Sequence, residues 1–272
     1  MILRCLLLLL SSSVAYAQQG EPLDKLILMS GLDAVVISYP EQLKMQFERV
    51  GVSAPDDKSR QMAQQRLLET YAKTDVAVLL RSYAEAELST NDIKSIFAWF
   101  ESPLGRRLVQ AEQQAGTAAG RQAMAAYMNT LDKDAVNPVR MTLVEAFEAV
   151  ARLTDINMSM IKVMLESELL AVNAMLPASE RQSSDQLSKV MGQQFYDMRE
   201  MIMPGLMMRM VSVSYYVLSG FTNDEVQAYI SFLKSNAGRK LVAMYGRVPV
   251  YVFGQIVRRS GIDVVNGFLG LP

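Results

Sequence analysis

The sequence predicts an all-α protein made of two similar multi-helix halves. Three observations predict it. The 15 glycines and 9 prolines of 272 residues fall short of the roughly 12% that an average chain carries. Good helix formers, Ala, Leu, Met, Gln and Glu, are abundant. One stretch occurs twice, 133 residues apart, with apolar residues at helical spacing in both copies.

The chain begins with what reads as a signal peptide at residues 1–17. Arg4 supplies the positive start, a short apolar run follows from Leu6, and Ala15-Tyr16-Ala17 forms a small-x-small cleavage site. The run is far shorter than the ~20 residues of a spanning helix. Cleavage after Ala17 starts the mature chain at Gln18 and removes Cys5, leaving 255 residues without cysteine. The expected destination is the periplasm. The first half is read as residues 18–136 and the second as 137–272.

Composition excludes several chemistries. Without histidine there is no histidine-based triad and no imidazole metal site. One cysteine allows no internal disulfide and no thiolate zinc site. Balanced charge, 27 basic against 28 acidic residues, argues against a general nucleic-acid binder. No cofactor or resident metal is expected.

Residues 23–50 carry apolar side chains at helical spacing, with a break expected at Pro40. Residues 52–57 read as a turn and residues 60–87 as a helix. Residues 111–127 are alanine-rich, and Gly116 and Gly120 sit at a small-xxx-small spacing that lets two helices approach. Residues 132–138 form a polar connection. Residues 141–175 read as a long helix, interrupted or curved near 154–157, and residues 177–184 as a polar loop. Residues 187–202 read as a helix ended by Pro204, followed by a buried helix at 206–218. Arg209, Ser212 and Ser214 interrupt the latter, so no membrane span is expected there. After Arg247 the pattern is mixed around Pro249 and the later glycines; residues 248–253 favour a short helix, with a strand as the other reading.

The repeat itself reads LSTNDIKSIFAWFESPLGRRLV at residues 88–109 and FTNDEVQAYISFLKSNAGRKLV at residues 221–242. Ser89 with Asp92, and Thr222 with Glu225, have capping-box spacing. Ile93, Ile96, Phe97 and Phe100 fall on one helical face, as do Val226, Tyr229, Ile230 and Leu233. Ser102 and Ser235 then suit the cap of a second helix, and Gly105 and Gly238 allow backbones to approach. Arg106 and Arg239, with Arg107 and Lys240, stand at the start of that helix, where the macrodipole disfavours cations. The expected role of Arg106 and Arg239 is a salt bridge to another helix, with ligand binding as the other reading.

This pattern resembles the bacterial exported family catalogued as domain of unknown function 2059, in two copies. Phe100, Ser102, Pro103 and Gly105 carry the resemblance in the first copy; Asn236 replaces the proline in the second. The resemblance implies an all-helical exported protein and brings no catalytic residues.

Six of 19 methionines lie between positions 198 and 210. Met198, Met201, Met207, Met208 and Met210 are candidates to line a groove for a protein partner or an apolar ligand. Core filling and thioether binding of copper(I) are the competing readings. Glu145 with Glu148, and Asp56 with Asp57, are the acidic pairs that a carboxylate enzyme would need. The expected function is a non-enzymatic periplasmic binding module; the alternative is a cell-envelope enzyme using carboxylates and the repeated arginines. Oligomeric state is left open.

Overall fold

The computed structural model describes residues 22–49, 57–130 and 137–262. The expected cleavage site at Ala15 and Ala17, Cys5, the residues 52–56, the connection 132–136 and the terminal glycines Gly267 and Gly270 lie outside these. Every regular element among the described residues is an α-helix, thirteen in chain order.

Two long helices make the centre. α10 (Leu153–Met175) and α13 (Asn236–Arg259) pack along each other. From Val163 to Val172 every residue of α10 is buried, Ser167 and Glu168 included. A helix wrapped on all sides in this way belongs to a core rather than a surface. α4 (Asp57–Ala72) and α11 (Ser184–Leu218) cover α10, while α2 (Leu32–Ile37), α5 (Val76–Glu87), α6 (Thr90–Glu101) and α12 (Asn223–Lys234) cover α13. Tyr39, at the start of α3 (Tyr39–Arg49), stacks on Phe253 with ring centroids 4.0 Å apart. The Tyr245 hydroxyl donates to the Ser30 carbonyl at the end of α1 (Pro22–Ser30), at 2.6 Å. Burial pushes the neighbouring Tyr71 phenol up to about 12. The Glu168 side chain, fully buried, is met by the Arg60 guanidinium at 3.6 Å.

Two proline expectations change. Pro40 starts a helix instead of ending one. It stands second in α3, where its missing N–H would have no partner anyway. The break comes earlier, at Gly31, whose φ of 75° suits glycine. Pro204 lies inside α11, which runs 35 residues without interruption. Leu187 and Met191 anchor one end in the core, and Met210, Val213 and Leu218 anchor the other. Residues 248–253 take the favoured helical reading, as part of the long α13 with Pro249 inside it and not as a short helix of their own. Val248, Val252, Phe253 and Ile256 are each at 0% exposure, and that burial outweighs the lost backbone hydrogen bond.

The long stretch 141–175 divides at Arg152, in the left-handed conformation at φ 56°. α9 (Pro138–Ala151) ends there and α10 begins. Glu148 explains the join. Its carboxylate accepts from the Thr154 N–H at 2.8 Å and the Thr154 hydroxyl at 2.5 Å, capping α10 from inside α9. Burial raises the Glu148 pKa.

Candidate functional site

The repeated segments each fold as two helices joined by a tight corner: α6 to α7 (Pro103–Ala115), and α12 to α13. The capping boxes form at both starts. At each corner one serine serves two helices. Ser102 donates its hydroxyl to the Trp99 carbonyl at 2.6 Å and accepts from the Gly105 N–H at 3.0 Å. Ser235 accepts from the Gly238 N–H at 3.1 Å. A Cβ at Gly105 or Gly238 would sit 2.0 Å from the carbonyl oxygen of Trp99 or Phe232, so only glycine fits the corner.

A third corner of the same build joins α7 to α8 (Ala118–Thr130). Thr117 donates to the Gln114 carbonyl at 2.8 Å and accepts from the Gly120 N–H at 2.9 Å. A Cβ on Gly120 would meet the Gln114 oxygen at 1.9 Å. Gly116 caps α7, and the missing Cβ at Gly120 lets the start of α8 lie against the end of α7, so the close approach is made by consecutive helices at a corner. The hydroxyl-x-x-glycine spacing was the readable signal.

The basic residues divide differently from expectation. Arg106 and Arg239 are exposed, and Arg239 donates to the carbonyl of Lys234 in its own unit. The next residue along makes the long-range pairs. Lys240 donates to Asp92 at 2.5 Å, and Arg107 pairs with Glu225. Arg107 also lies over the Phe221 ring, 4.9 Å from its centroid. The Lys240 ammonium and the Ser89 donors hold the Asp92 carboxyl down at about 2. The Thr222 N–H, then Arg107, lower Glu225. Between the ion pairs Trp99 stacks on Phe232, with centroids 4.5 Å apart and planes within 4°. Asp92, Phe232 and Asn236 line a shallow open pocket at this junction.

The methionines do not share one environment. Met201, Met207 and Met208 are 75%, 55% and 71% exposed, Met198 is half-buried, and Met210 is 1% exposed. Met201 and Met208 are seven residues apart and share a face, with Pro204 between them. Met210 is two and a half turns beyond Met201, on the opposite side, in the core. Met210 thus leaves the candidate surface, and the five thioethers do not converge. From Gly192 to Arg209 no residue of α11 is buried. Among the described residues α11 is the one helix long and apolar enough to cross a membrane, by length and composition alone. Its last turns pack in the core instead.

Glu145 and Glu148 do not face one cleft. Glu145 is exposed while Glu148 is buried under its cap, and Asp56 lies outside the described residues. Among the described residues no group of three or more His, Cys, Asp or Glu side chains is placed to hold a metal ion.

A protein-family model described as "Uncharacterized protein conserved in bacteria (DUF2059)" matches residues 77–133. The match runs from α5 past the end of α8 and takes in the first of the two repeated segments, and not the second. No curated protein and no solved structure matches the chain.

Proposed function

We propose that this chain is an exported bacterial module, non-enzymatic, that binds a protein partner through the middle of α11. One observation carries the proposal: an 18-residue helical stretch, residues 192–209, rests on the core only through partly buried side chains such as Met198 and Leu206 and presents Met201, Met207 and Met208 to solvent. Exposed apolar patches of this kind mark interaction sites, and methionine adapts its shape to a partner. A small apolar ligand needs a concave pocket to bury most of its surface. An exposed helix face suits another protein's groove instead, as amphipathic helices do in helix-in-groove recognition. The enzyme alternative draws no support from Arg106 and Arg239, which face solvent, or from Glu145 and Glu148, which face opposite environments.

The test is photo-crosslinking in the host. A photoreactive residue replaces Met201 or Met208, and a control replaces the exposed Glu85. A defined adduct from the two α11 positions, absent at 85 and abolished by Met207→Lys, is the expected result. No adduct above the control sinks the proposal.

Export and duplication belong to the same reading. Residues 1–17 support removal of a signal peptide, and the mass of the periplasmic protein checks it. The 133-residue offset, with the same capping box and the same serine–glycine corner in both segments, supports an ancient internal duplication. An experimental structure in which residues 88–109 and 221–242 have different backbones would end that part of the reading.

A further inference from the structure

The contacts between the two repeated segments are crosswise. Asp92 and Glu225 are the same position of the repeat, 133 residues apart, and so are Arg107 and Lys240. Asp92 of the first segment pairs with Lys240 of the second, and Glu225 of the second pairs with Arg107 of the first. Trp99 and Phe232 are also one position, and they lie on each other. When position i meets j and j meets i, the two surfaces are related by a two-fold axis. A head-to-tail arrangement would form one of the two ion pairs and leave the other apart. A position touches its own equivalent only beside the axis itself, which is where the Trp99–Phe232 stack places it.

We infer that residues 88–109 and 221–242 pack about a local two-fold axis beside Trp99 and Phe232, as a homodimer interface carried inside one chain. The face of each unit is self-complementary, and the partner it fits is a second copy of the same helix–corner–helix unit. The inference rests on the duplication proposed above and goes past it, because duplicated units can pack in many ways. Chemistry supports the equivalence. Both acidic members are capping-box residues at the third position of their helix, so each carboxylate is already held rigid when its cation arrives. Both cations follow the corner glycine by two residues, where the helix start disfavours positive charge unless a carboxylate faces it. The two sites differ in depth. The Asp92–Lys240 pair is the more buried, and Asn236 adds a hydrogen bond to Asp92 at 3.4 Å where the first segment has Pro103.

Trp99 is the only tryptophan, so its fluorescence reports one position. The decisive variant, in the full chain, is the exchange Trp99→Phe/Phe232→Trp. A two-fold interface gives the relocated indole the same stacked, half-buried setting. The expected result is an unchanged emission maximum and an unfolding midpoint within about 4 °C of the natural chain. A red-shifted emission, that of an indole in water, overturns the inference.

A second variant exchanges the charges: Asp92→Glu, Glu225→Asp, Arg107→Lys and Lys240→Arg together. It is expected to keep the midpoint within the same range, while Lys240→Glu alone lowers it by more. An exchange as damaging as that single reversal overturns the inference and leaves the duplication standing on its sequence match. Different backbones in the two segments would remove the duplication as well.

Discussion

Lys240 donates to the Asp92 carboxylate at 2.5 Å, joining α13 to α6 across 148 residues of chain. The same carboxylate accepts from the Ser89 N–H at 2.9 Å and the Ser89 hydroxyl at 2.6 Å. One side chain thus caps a helix and ties the two repeated segments together. Its pKa falls from 3.8 to about 2. A group whose folded pKa is depressed contributes stability above its unfolded value and loses it as pH falls through the folded value. The Asp92 contribution is therefore complete above about pH 4 and gone below about pH 2. Asp92→Asn is expected to flatten the acid limb of stability between those values. Denaturant unfolding of both proteins from pH 2 to 6 checks it, and parallel curves would refute it.

Two glycines separate necessity from tolerance. At Gly238 a Cβ would lie 2.0 Å from the Phe232 oxygen and 2.7 Å from the Leu233 Cα, both backbone atoms that cannot swing aside. Gly238→Ala is expected to cost about 2 kcal/mol or more, as overpacking does. At Gly205, mid-helix, nothing lies within 4 Å. Gly205→Ala is expected to stabilise by about 0.5–1 kcal/mol through helix propensity alone. Thermal unfolding of the pair should show opposite signs.

Arg140 is a buried cation that closes a helix end. Its guanidinium donates to the Leu218 carbonyl, to the Phe221 carbonyl at 2.9 Å and to the Asn223 side-chain oxygen at 3.1 Å, where α11 gives way to α12. Arg140→Met keeps the stem and leaves these acceptors bare, at about 1–3 kcal/mol for each that finds no water. A loss of that order is expected in denaturant titration. An unchanged midpoint would mean that water replaces the arginine.

Pro204 interrupts the ladder of an exposed helix segment. A proline in a helix interior costs about 3 kcal/mol against alanine. Pro204→Ala is expected to raise stability by at least about 1 kcal/mol, since no buried packing is lost at this exposed site. If Pro204 shapes α11 for docking, the same variant weakens the Met201 photo-adduct while raising the unfolding midpoint. A lowered midpoint would show instead that Pro204 is built into the fold.

Much of the fold was readable because helix boundaries have local causes. Ser89, Thr222, Ser102 and Ser235 announce their caps through spacing alone. The apolar faces of α6 and α12 follow from the 3.6-residue period, and Ile96, Phe100, Val226 and Leu233 are buried as that period requires. The prolines misled for a physical reason. Pro40 and Pro204 carry the same local penalty rules, yet one stands in a first turn and the other lies in a helix anchored in the core on both sides of it. The third corner at Thr117 and Gly120 was spelled out in the chain but lay outside the repeat that drew attention to the other two.

The candidate site was legible only in part. The methionine cluster between positions 198 and 210 was visible as composition, but continuity of the helix through Pro204 decided which side chains share a face. Arg106 and Arg239, identical in both segments, drew the expectation of long-range salt bridges, and Arg107 and Lys240 make them. A helix turns by about 100° per residue, so moving one position along changes the surface a side chain meets.

By itself the sequence determined the helical class, the capping boxes, the serine–glycine corners and the repeat at 133 residues. The caps and corners depend on residues within about one or two turns of one another, where short-range sterics and hydrogen bonds act, and the repeat is a match of the chain with itself. Tertiary structure alone decided that Asp92 meets Lys240 while Arg107 meets Glu225, that Trp99 lies on Phe232, and that α11 leaves Met201 and Met208 uncovered. Those outcomes depend on how whole helix faces pack. Burial is shared among many apolar side chains at once, and no single position in the chain encodes it.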